Sequence, residues 1–221
     1  MRFLDECIND SMPIWQECLN SEFLQKMTDG SLAEECFKGY IVDDSLYLRE
    51  YSKVFAWGII NARKMDEICN YYEMLSFVNE GEGSTRKNYL KRYGLTDEGI
   101  QDLPPRAENA AYVKTMTAAA RNGGVAQCMM ATLPCMLSYR FLFKEIISQN
   151  PQISATAYGE LVSDYESERY SKICDKWIEF AEQACKGLRA SEKDKCLEIF
   201  RACSQHELHF WEMSSKPRDD I

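Results

Sequence analysis

The stretch from Val125 to Phe143 reads VAQCMMATLPCMLSYRFLF and is apolar along almost its whole length. Asn122-Gly123-Gly124 precedes it and interrupts the pattern, so we interpret the stretch as a buried helix. Cys135 and Tyr139 lie four residues apart and share one face of this helix. A free cysteine in an apolar helix is usually a small hydrophobe in the core, so this context alone leaves the role of Cys135 open.

Outside this stretch, the sequence shows helix signals and almost no strand signals. Ser31-Leu32-Ala33-Glu34 matches a capping box after Gly30, and apolar residues then recur at intervals of three and four as far as Trp57. Gly81 and Gly83 lie inside another helical stretch and favour a bend or a break there. The other predicted helices cover residues 2–20, 65–92, 106–121, 125–149, 155–187 and 191–214.

Glycine and proline residues separate these helices. They stand where one helical pattern ends and the next begins, at Gly94, Pro104-Pro105, Asn150-Pro151 and Gly187. Connections this short imply antiparallel neighbours, and no linker rich in proline, glycine or serine divides the chain. We therefore expect an all-α helical bundle that folds as one domain over residues 1–221.

The composition and charge exclude several functional classes. The 221 residues are 45% hydrophobic and 12% aromatic, which suffices for a substantial core, and the net charge is −9. This acidity argues against binding to nucleic acid or to an anionic membrane, which requires clustered lysine and arginine, and it favours neutral or cationic ligands. No stretch approaches the roughly 20 apolar residues of a membrane span, and no signal-peptide pattern follows Met1, so we expect a cytoplasmic protein.

Ten cysteines are spread along the chain, and no two of them form a Cys-x-x-Cys pair. This spacing indicates neither a disulfide framework nor a structural zinc site. Any functional cysteine must therefore be recognised from the residues around it.

Several polar residues fall on faces that the periodicity assigns to the core. Asp44 and Tyr47 lie three residues apart and Tyr51 follows by four, which aligns a carboxylate and two phenols on one side of a helix. An inward carboxylate needs a partner, and a lysine or a neighbouring helix end would explain Asp44 without any site. Tyr112 could likewise span core and surface with its hydroxyl in water.

Glu207, Phe210 and Trp211 follow the same spacing near the C-terminus and place a carboxylate beside two large aromatic rings. Desolvation raises the pKa of a glutamate in such surroundings, which is how proteins keep a general acid protonated near neutral pH. The alternative is a surface glutamate on an amphipathic final helix.

Taken in order, these residues resemble the TenA/thiaminase II family over nearly the whole chain. The resemblance begins with Phe23-Leu24, Asp29-Gly30-Ser31-Leu32, Phe37, Tyr40 and DSLYLREY at residues 44–51. It continues with Tyr112, Leu133-Pro134-Cys135 with Tyr139, the Tyr158 to Tyr165 spacing with Ser167-Glu168, and Glu207-x-x-Phe210-Trp211-x-Met213.

The resemblance implies a haem-oxygenase-like helical bundle, usually a homotetramer, with a pocket between helices for a 4-amino-5-substituted pyrimidine. It also implies hydrolysis of a C–N bond in 4-amino-5-aminomethyl-2-methylpyrimidine, and in thiamin, to give hydroxymethylpyrimidine for thiamin salvage. No metal or organic cofactor is needed for that reaction. The ring is electrophilic at C6 only when it is protonated, so a thiolate and an acid work together.

The resemblance also assigns roles, residue by residue. Cys135 would add to the ring, and Glu207 would protonate the ring nitrogen and then help to activate water at the methylene carbon. Asp44 would hold the 4-amino group. The other expected contacts are Tyr47, Tyr139 and Tyr165, which would stack on or orient the ring, and Tyr112, whose hydroxyl would lie near the catalytic pair.

Four positions depart from the family pattern. Asp43 stands where glutamine is common, and its second negative charge could loosen or redirect recognition of the amine, although we expect Asp43 itself to lie outside the groups that contact the ligand. Leu161 replaces a common tryptophan, Gln127 replaces a common glutamate, and a glycine often found soon after Tyr139 is missing. The catalytic set is retained, and the presence of Cys135 favours the thiol-dependent branch of the family.

Two other functions stay open. Relatives of this bundle bind haem or build di-iron sites, but His206 and His209 are the only histidines and a paired Glu-x-x-His set is absent. The second alternative is a non-catalytic pyrimidine-binding or regulatory protein of the same fold. The sequence also leaves open whether thiamin or the aminomethyl pyrimidine is the better substrate.

Overall fold

The computed structural model describes residues 2–78 and 83–221. No β-strand occurs in these ranges, which confirms the all-α class, and none of their helices has both the length and the apolar character of a membrane span. A 3-10 helix, Pro151–Ala155, lies between α8 and α9. The α-helices are α1 (Phe3–Cys18), α2 (Glu22–Asp29), α3 (Glu34–Asn61), α4 (Met65–Phe77), α5 (Gly83–Arg92), α6 (Asp97–Ile100), α7 (Ala107–Asn122), α8 (Val125–Gln149), α9 (Gly159–Glu166), α10 (Glu168–Cys185) and α11 (Ala190–Ser214).

Two of the predicted helices are each divided into two. Residues 65–92 contain α4 and α5; Gly83 begins α5, whereas Gly81 lies outside the described residues. Residues 155–187 contain α9 and α10, because Ser167 leaves the helical conformation and its hydroxyl accepts a hydrogen bond from the Tyr170 N–H at 3.1 Å. The periodicity predicts neither α2 nor α6, since helices of eight and four residues are too short to show it.

The capping box predicted at Ser31 is wrong. α3 begins at Glu34, and its N-cap is Ala33, whose side chain forms no capping hydrogen bond. The Ser31 hydroxyl instead donates to Asp29 Oδ1 at 2.6 Å. Gly30 has a φ of 81°, in the left-handed region that glycine adopts without strain, so it ends α2.

Helix α8 lies at the centre of the bundle and packs against α3, α7, α10 and α11. Residues 128–139 are all buried, which confirms the buried helix predicted from the apolar run. A helix that is apolar on every side is stable only when neighbours surround it. Pro134 has no N–H to donate, so the backbone hydrogen-bond ladder of α8 is interrupted one residue before Cys135.

A buried ion cluster, formed by Asp43, Arg106 and Arg218, joins α3, the N-terminus of α7 and the chain that follows α11. Asp43 pairs with Arg106, and its Oδ1 lies 2.6 Å from Nη1 of Arg218. Arg106 also donates to the carbonyl oxygens of Met213 and Lys216, both at 2.9 Å. The cluster therefore ties together three parts of the chain that adjoin candidate site residues.

The carboxylate of Asp43 faces the buried ion cluster, and its effect on recognition of the amine stays a prediction. Two guanidinium groups compensate its charge, and the Asn109 side-chain amide donates to its backbone carbonyl at 2.9 Å. Its role in this structure is to hold helices together. The single domain expected over residues 1–221 stays a prediction.

Removal of the Arg218 guanidinium is expected to destabilise the protein. Arg218→Met leaves the buried Asp43 carboxylate with one cation, and breaking a buried pair costs about 3 kcal/mol. Arg201→Met is the control, because Arg201 pairs with Asp10 at the surface, where an ion pair contributes less than about 1 kcal/mol. Urea unfolding measures both variants, and equal free energies of unfolding would contradict the role given to the buried ion cluster.

Candidate active site

Glu207 lies on α11 and is only 2% exposed. The Tyr112 hydroxyl, on α7, donates to Glu207 Oε1 at 2.6 Å. Burial raises the pKa of Glu207 to about 8, against hydrogen bonds from Tyr112, Cys135 and Ser138 that lower it. The buried position excludes the surface glutamate considered as an alternative, and the raised pKa predicted from the aromatic surroundings is confirmed.

Cys135 supplies the thiol that lies beside the Glu207 carboxyl. It lies on α8, is 8% exposed, and shares a side-chain hydrogen bond with the Glu207 carboxyl. Ser138, one turn later on α8, donates to the Cys135 carbonyl oxygen at 3.1 Å. A hydrogen bond between the side chains of Ser138 and Glu207 also lowers the pKa of the Glu207 carboxyl. The structure thus brings a thiol and a carboxylic acid together, with the Tyr112 hydroxyl on the same acid.

Asp44, on α3, is the second buried carboxyl of the candidate site, with 7% of the residue exposed. Among the described residues, the charged groups that shift its pKa are Arg86 and Asp43, and the lysine considered from the sequence is not one of them. Burial raises the pKa of Asp44 to about 7; the charge of Arg86 opposes this rise and that of Asp43 adds to it. A buried polar group is stabilised by hydrogen-bond partners, so a ligand that donates a hydrogen bond to Asp44 would compensate for its burial.

Aromatic rings pack between these groups. The Tyr47 ring centroid lies 4.9 Å from that of Tyr112 and 5.9 Å from that of Phe210. Burial raises the pKa of the Tyr47 hydroxyl well above its usual value, and the neighbouring Cys135, Tyr112 and Glu207 groups add to the effect. Tyr47 therefore stays protonated, and it lies close enough to the Cys135 thiol and the Glu207 acid for them to influence its pKa.

Tyr139 and Tyr165 form a second aromatic pair, with ring centroids 4.8 Å apart. The Tyr139 hydroxyl oxygen lies 3.3 Å from that of Tyr40. Burial raises the pKa of Tyr139, with further contributions from Tyr40, Asp44 and Glu207. Tyr139 is thus near both carboxyl groups, whereas Tyr165 is connected to them through the Tyr139 ring.

The structure places all seven residues predicted from the sequence in one connected cluster: Asp44, Tyr47, Tyr112, Cys135, Tyr139, Tyr165 and Glu207. Sequence reasoning missed three neighbours of this cluster. Ser138 and Tyr40 carried a usable signal, because they lie three residues after Cys135 and four residues before Asp44 on the same helices. Arg86 carried none, since it lies on a different helix from either carboxyl.

The two histidines lie next to the site without forming a metal centre. His206 stacks on the Tyr112 ring, with centroids 5.2 Å apart and an angle of 16° between the rings. Its Nε2 lies 2.8 Å from the Thr115 hydroxyl. In the part of the chain that the structure describes, no three histidine, cysteine or carboxylate side chains are grouped so that they could hold a metal ion. His206 packs against Tyr112 and supports the position of its ring.

A family model, described as the TENA/THI-4/PQQC family, matches residues 9–216. The chain belongs to this family. Relatives named aminopyrimidine aminohydrolase include a protein from Halalkalibacterium halodurans, 28% identical over 218 residues, and one from Helicobacter pylori, 28% identical over 207 residues. These alignments cover 99% and 93% of this chain, and 97% and 94% of the respective relatives. The resemblance to the TenA family is thereby confirmed.

Solved structures of TenA proteins share the fold. A TenA family transcription regulator from Silicibacter sp. TM1040 gives a TM-score of 0.87 at 19% sequence identity, covering 98% of this chain and 97% of its own. A domain of unknown function with a heme oxygenase-like fold, from Shewanella denitrificans, gives a TM-score of 0.76 at 12% identity, covering 96% and 91%. These likenesses confirm the haem-oxygenase-like helical bundle.

Glu207→Gln is expected to stabilise the protein at alkaline pH. The pKa of Glu207 is higher in the folded chain than its ordinary value of 4.5, so the wild type loses stability as the pH rises from about 4.5 to about 8. Glutamine has no acidic proton, so the variant does not lose stability over this pH range. Thermal unfolding at about pH 5 and about pH 8.5 measures the effect.

Glu212→Gln, an exposed change on the same helix, is the control for this prediction. The melting temperature of the wild type and of the control should fall more steeply with pH than that of Glu207→Gln. A parallel fall in all three proteins would contradict the raised pKa of Glu207.

Proposed function

We propose that this chain is an aminopyrimidine aminohydrolase, or thiaminase II. It hydrolyses the C–N bond of 4-amino-5-aminomethyl-2-methylpyrimidine, and of thiamin, and the hydroxymethylpyrimidine product serves thiamin salvage. The observation that carries the proposal is the meeting of the Cys135 thiol with the buried Glu207 acid, beside the Asp44 carboxyl and its aromatic neighbours. The names of relatives that match nearly the full length support it.

Substrate binding depends on Asp44 and the tyrosines. The Asp44 carboxylate accepts a hydrogen bond from the 4-amino group, and a bond to an ionised acceptor in a buried site is stronger than one between neutral groups. Tyr47, Tyr139 and Tyr165 stack on or orient the ring. Their nearness to the reacting groups supports this role, because Cys135 and Glu207 influence the pKa of Tyr47, Asp44 and Glu207 influence that of Tyr139, and the Tyr165 ring packs on that of Tyr139.

The first chemical step forms a bond between the Cys135 sulfur and C6 of the ring. A ring nitrogen gains a proton from Glu207, and Glu207 takes the thiol proton, so the thiol adds across the ring while the acid ends as it began. A pKa of about 8 keeps Glu207 protonated at neutral pH, as a general acid requires. The Tyr112 hydrogen bond limits this rise in pKa and lets the carboxyl accept a proton in turn.

In the second step the bond between the methylene carbon and the amine nitrogen breaks, and the electron pair leaves on nitrogen. Water adds to the exocyclic methylene with the help of Glu207, and the sulfur–C6 bond then breaks to restore the aromatic ring. One water is consumed for each ammonia released, or for each thiazole and proton when thiamin is the substrate. Cys135 and Glu207 are the catalytic residues of this scheme.

The first experiment compares turnover of the aminomethyl pyrimidine and of thiamin by the wild type and Cys135→Ser. We expect the wild type to release hydroxymethylpyrimidine and kcat to fall at least about a hundredfold in the variant, since a serine hydroxyl is a weaker nucleophile than a thiolate. Chromatography of the pyrimidine product measures both rates.

Cys128→Ser is the matched control, because Cys128 is another buried thiol of α8 and contacts Asn61 and the Ala120 carbonyl. It should keep most of the activity, and the wild-type rates rank the two substrates. Equal activity of Cys135→Ser and the wild type would contradict the nucleophilic role. Tight pyrimidine binding without turnover by the wild type would favour the non-catalytic binding or regulatory protein.

Activity toward thiamin is expected to follow a bell-shaped pH dependence. The value of kcat/KM should rise as Asp44 ionises near pH 7 and fall as Glu207 loses its proton near pH 8. Thiamin suits this measurement because it has no titrating aminomethyl group. Tyr112→Phe removes a donor that lowers the pKa of Glu207, so it should move the alkaline limb to higher pH. An alkaline limb that does not move would count against Glu207 as the acid.

The assembly and the location follow from the resemblance and the sequence, and both stay predictions. We propose a homotetramer in the cytoplasm. Light scattering should then give a mass of four chains of 25.6 kDa. A mass of one chain at all concentrations would contradict the tetramer.

A further inference from the structure

The Tyr112 ring is in contact with the imidazole ring of His206, the residue that precedes Glu207 on α11. The two ring centroids are 5.2 Å apart and the ring planes differ by 16°, a near-parallel arrangement that stabilises aromatic pairs. The Tyr112 hydroxyl donates to Glu207 Oε1 at 2.6 Å. His206 therefore packs on the side chain that supplies a hydrogen bond to the acid of the site.

A hydrogen bond to Thr115 holds the imidazole in place. His206 Nε2 lies 2.8 Å from the Thr115 hydroxyl oxygen, and that hydroxyl donates its one proton to the Ala111 carbonyl oxygen at 3.2 Å. Nε2 therefore carries a proton and donates it to Thr115. His206 Nδ1 is buried and has no hydrogen-bond partner among the described residues, which agrees with this tautomer, because a buried N–H would need an acceptor. Thr115 lies one turn after Tyr112, so the imidazole is attached to the helix that carries the phenol.

The imidazole is neutral at the pH at which Glu207 titrates. Burial lowers the pKa of His206 below its ordinary 6.5, and the nearby His209 lowers it further, whereas burial raises the pKa of Glu207 to about 8. His206 thus acts on Tyr112 through ring contact and its hydrogen bond, not through a charge. The other titratable groups that interact with the Glu207 carboxyl come from α1, α3, α8 and α11 and stay unchanged in the variants of Tyr112, Thr115 and His206 described below: Cys18, Asp44, Tyr47, Cys135, Tyr139 and Cys203.

Resting on the function proposed above, we propose that His206 and Thr115 are positioning residues that keep the Tyr112 hydroxyl on the acid of the site. The stacked imidazole limits rotation of the phenol ring away from Glu207. The hydrogen bond from Nε2 to Thr115 keeps the imidazole against α7. Loss of either contact weakens the hydrogen bond that favours the ionised form of the carboxyl.

The test is an infrared titration of the Glu207 carboxyl in the protein without ligand, with the band assigned by its loss in Glu207→Gln. Two or three hydrogen bonds lower a carboxyl titration by about two pH units, so Tyr112→Phe, which removes one donor, should raise the midpoint by about one unit. His206→Leu removes the flat ring and the Nε2 donor, and it should raise the midpoint by at least about half of that shift. An unmoved midpoint in His206→Leu would overturn the inference.

Thr115→Val tests the hydrogen bond with little change of shape. Valine lacks the hydroxyl that holds the imidazole, so the midpoint should rise by less than in His206→Leu, and this variant decides the question if His206→Leu does not fold. Thr117→Val is the matched control, because Thr117 lies on the same helix but lines the groove towards Trp57 of α3. Its midpoint should equal that of the wild type. Identical midpoints in the two valine variants would contradict the role of Thr115 and overturn the inference.

A double variant shows whether His206 acts through Tyr112. The hydroxyl is already absent in Tyr112→Phe, so adding His206→Leu to that variant should move the midpoint no further. A second rise, as large as the one that His206→Leu causes alone, would mean that His206 affects Glu207 through general packing. That result would overturn the positioning role.

Turnover of thiamin separates this inference from the proposed function. In an active enzyme, the alkaline limb of kcat/KM should move in His206→Leu by the same amount as the infrared midpoint. A limb that stays while the midpoint moves would overturn the positioning role in catalysis. A raised midpoint in a protein that hydrolyses neither substrate would sustain the positioning of Tyr112 by His206 and contradict the proposed function alone.

Discussion

The removal of two carboxyl groups from water, those of Asp44 and Glu207, is the constraint on which the site depends. A buried carboxylate costs free energy unless charges or hydrogen bonds compensate it, and burial is the largest influence on both pKa values. The main compensation is the Tyr112 hydrogen bond for Glu207 and the Arg86 charge for Asp44. Because this compensation is incomplete, both carboxyls titrate near neutral pH, where acid–base chemistry needs them.

The helical bundle makes this costly arrangement possible by placing its stabilising contacts beside the site. The buried ion cluster joins α3, α7 and the chain after α11, and those elements carry or adjoin Asp44, Tyr112 and Glu207. Helix α8 brings Cys135 from the centre of the core, where apolar neighbours surround it. Packing and ion pairs outside the site thus determine the relative positions of the thiol and the carboxyl groups. The Asp44 and Glu207 carboxyls therefore remain able to gain and lose protons.

Patterns among neighbouring residues of the sequence predicted the features that depend on neighbouring residues, above all the helices. The apolar run around Cys135 and the three-and-four spacing around Asp44 were sufficient for the helical class, whereas the candidate site residues came from the resemblance to the TenA family and their roles stay a prediction. Contacts between distant helices were not predictable in this way: Arg86 and Ser45 are 41 positions apart, and Arg218 and Asp43 are 175. The capping box at Ser31 failed for a local reason, because Asp29 competes for the serine hydroxyl.

A crystal structure of the wild type with bound 4-amino-5-hydroxymethyl-2-methylpyrimidine is the most direct test that Asp44, Cys135 and Glu207 form one pyrimidine site. The 4-amino nitrogen should lie about 2.9 Å from an Asp44 carboxylate oxygen. The same ring should place C6 against the Cys135 sulfur and a ring nitrogen against Glu207. A ligand bound elsewhere in the bundle, or one whose C6 faces away from the thiol, would contradict this arrangement.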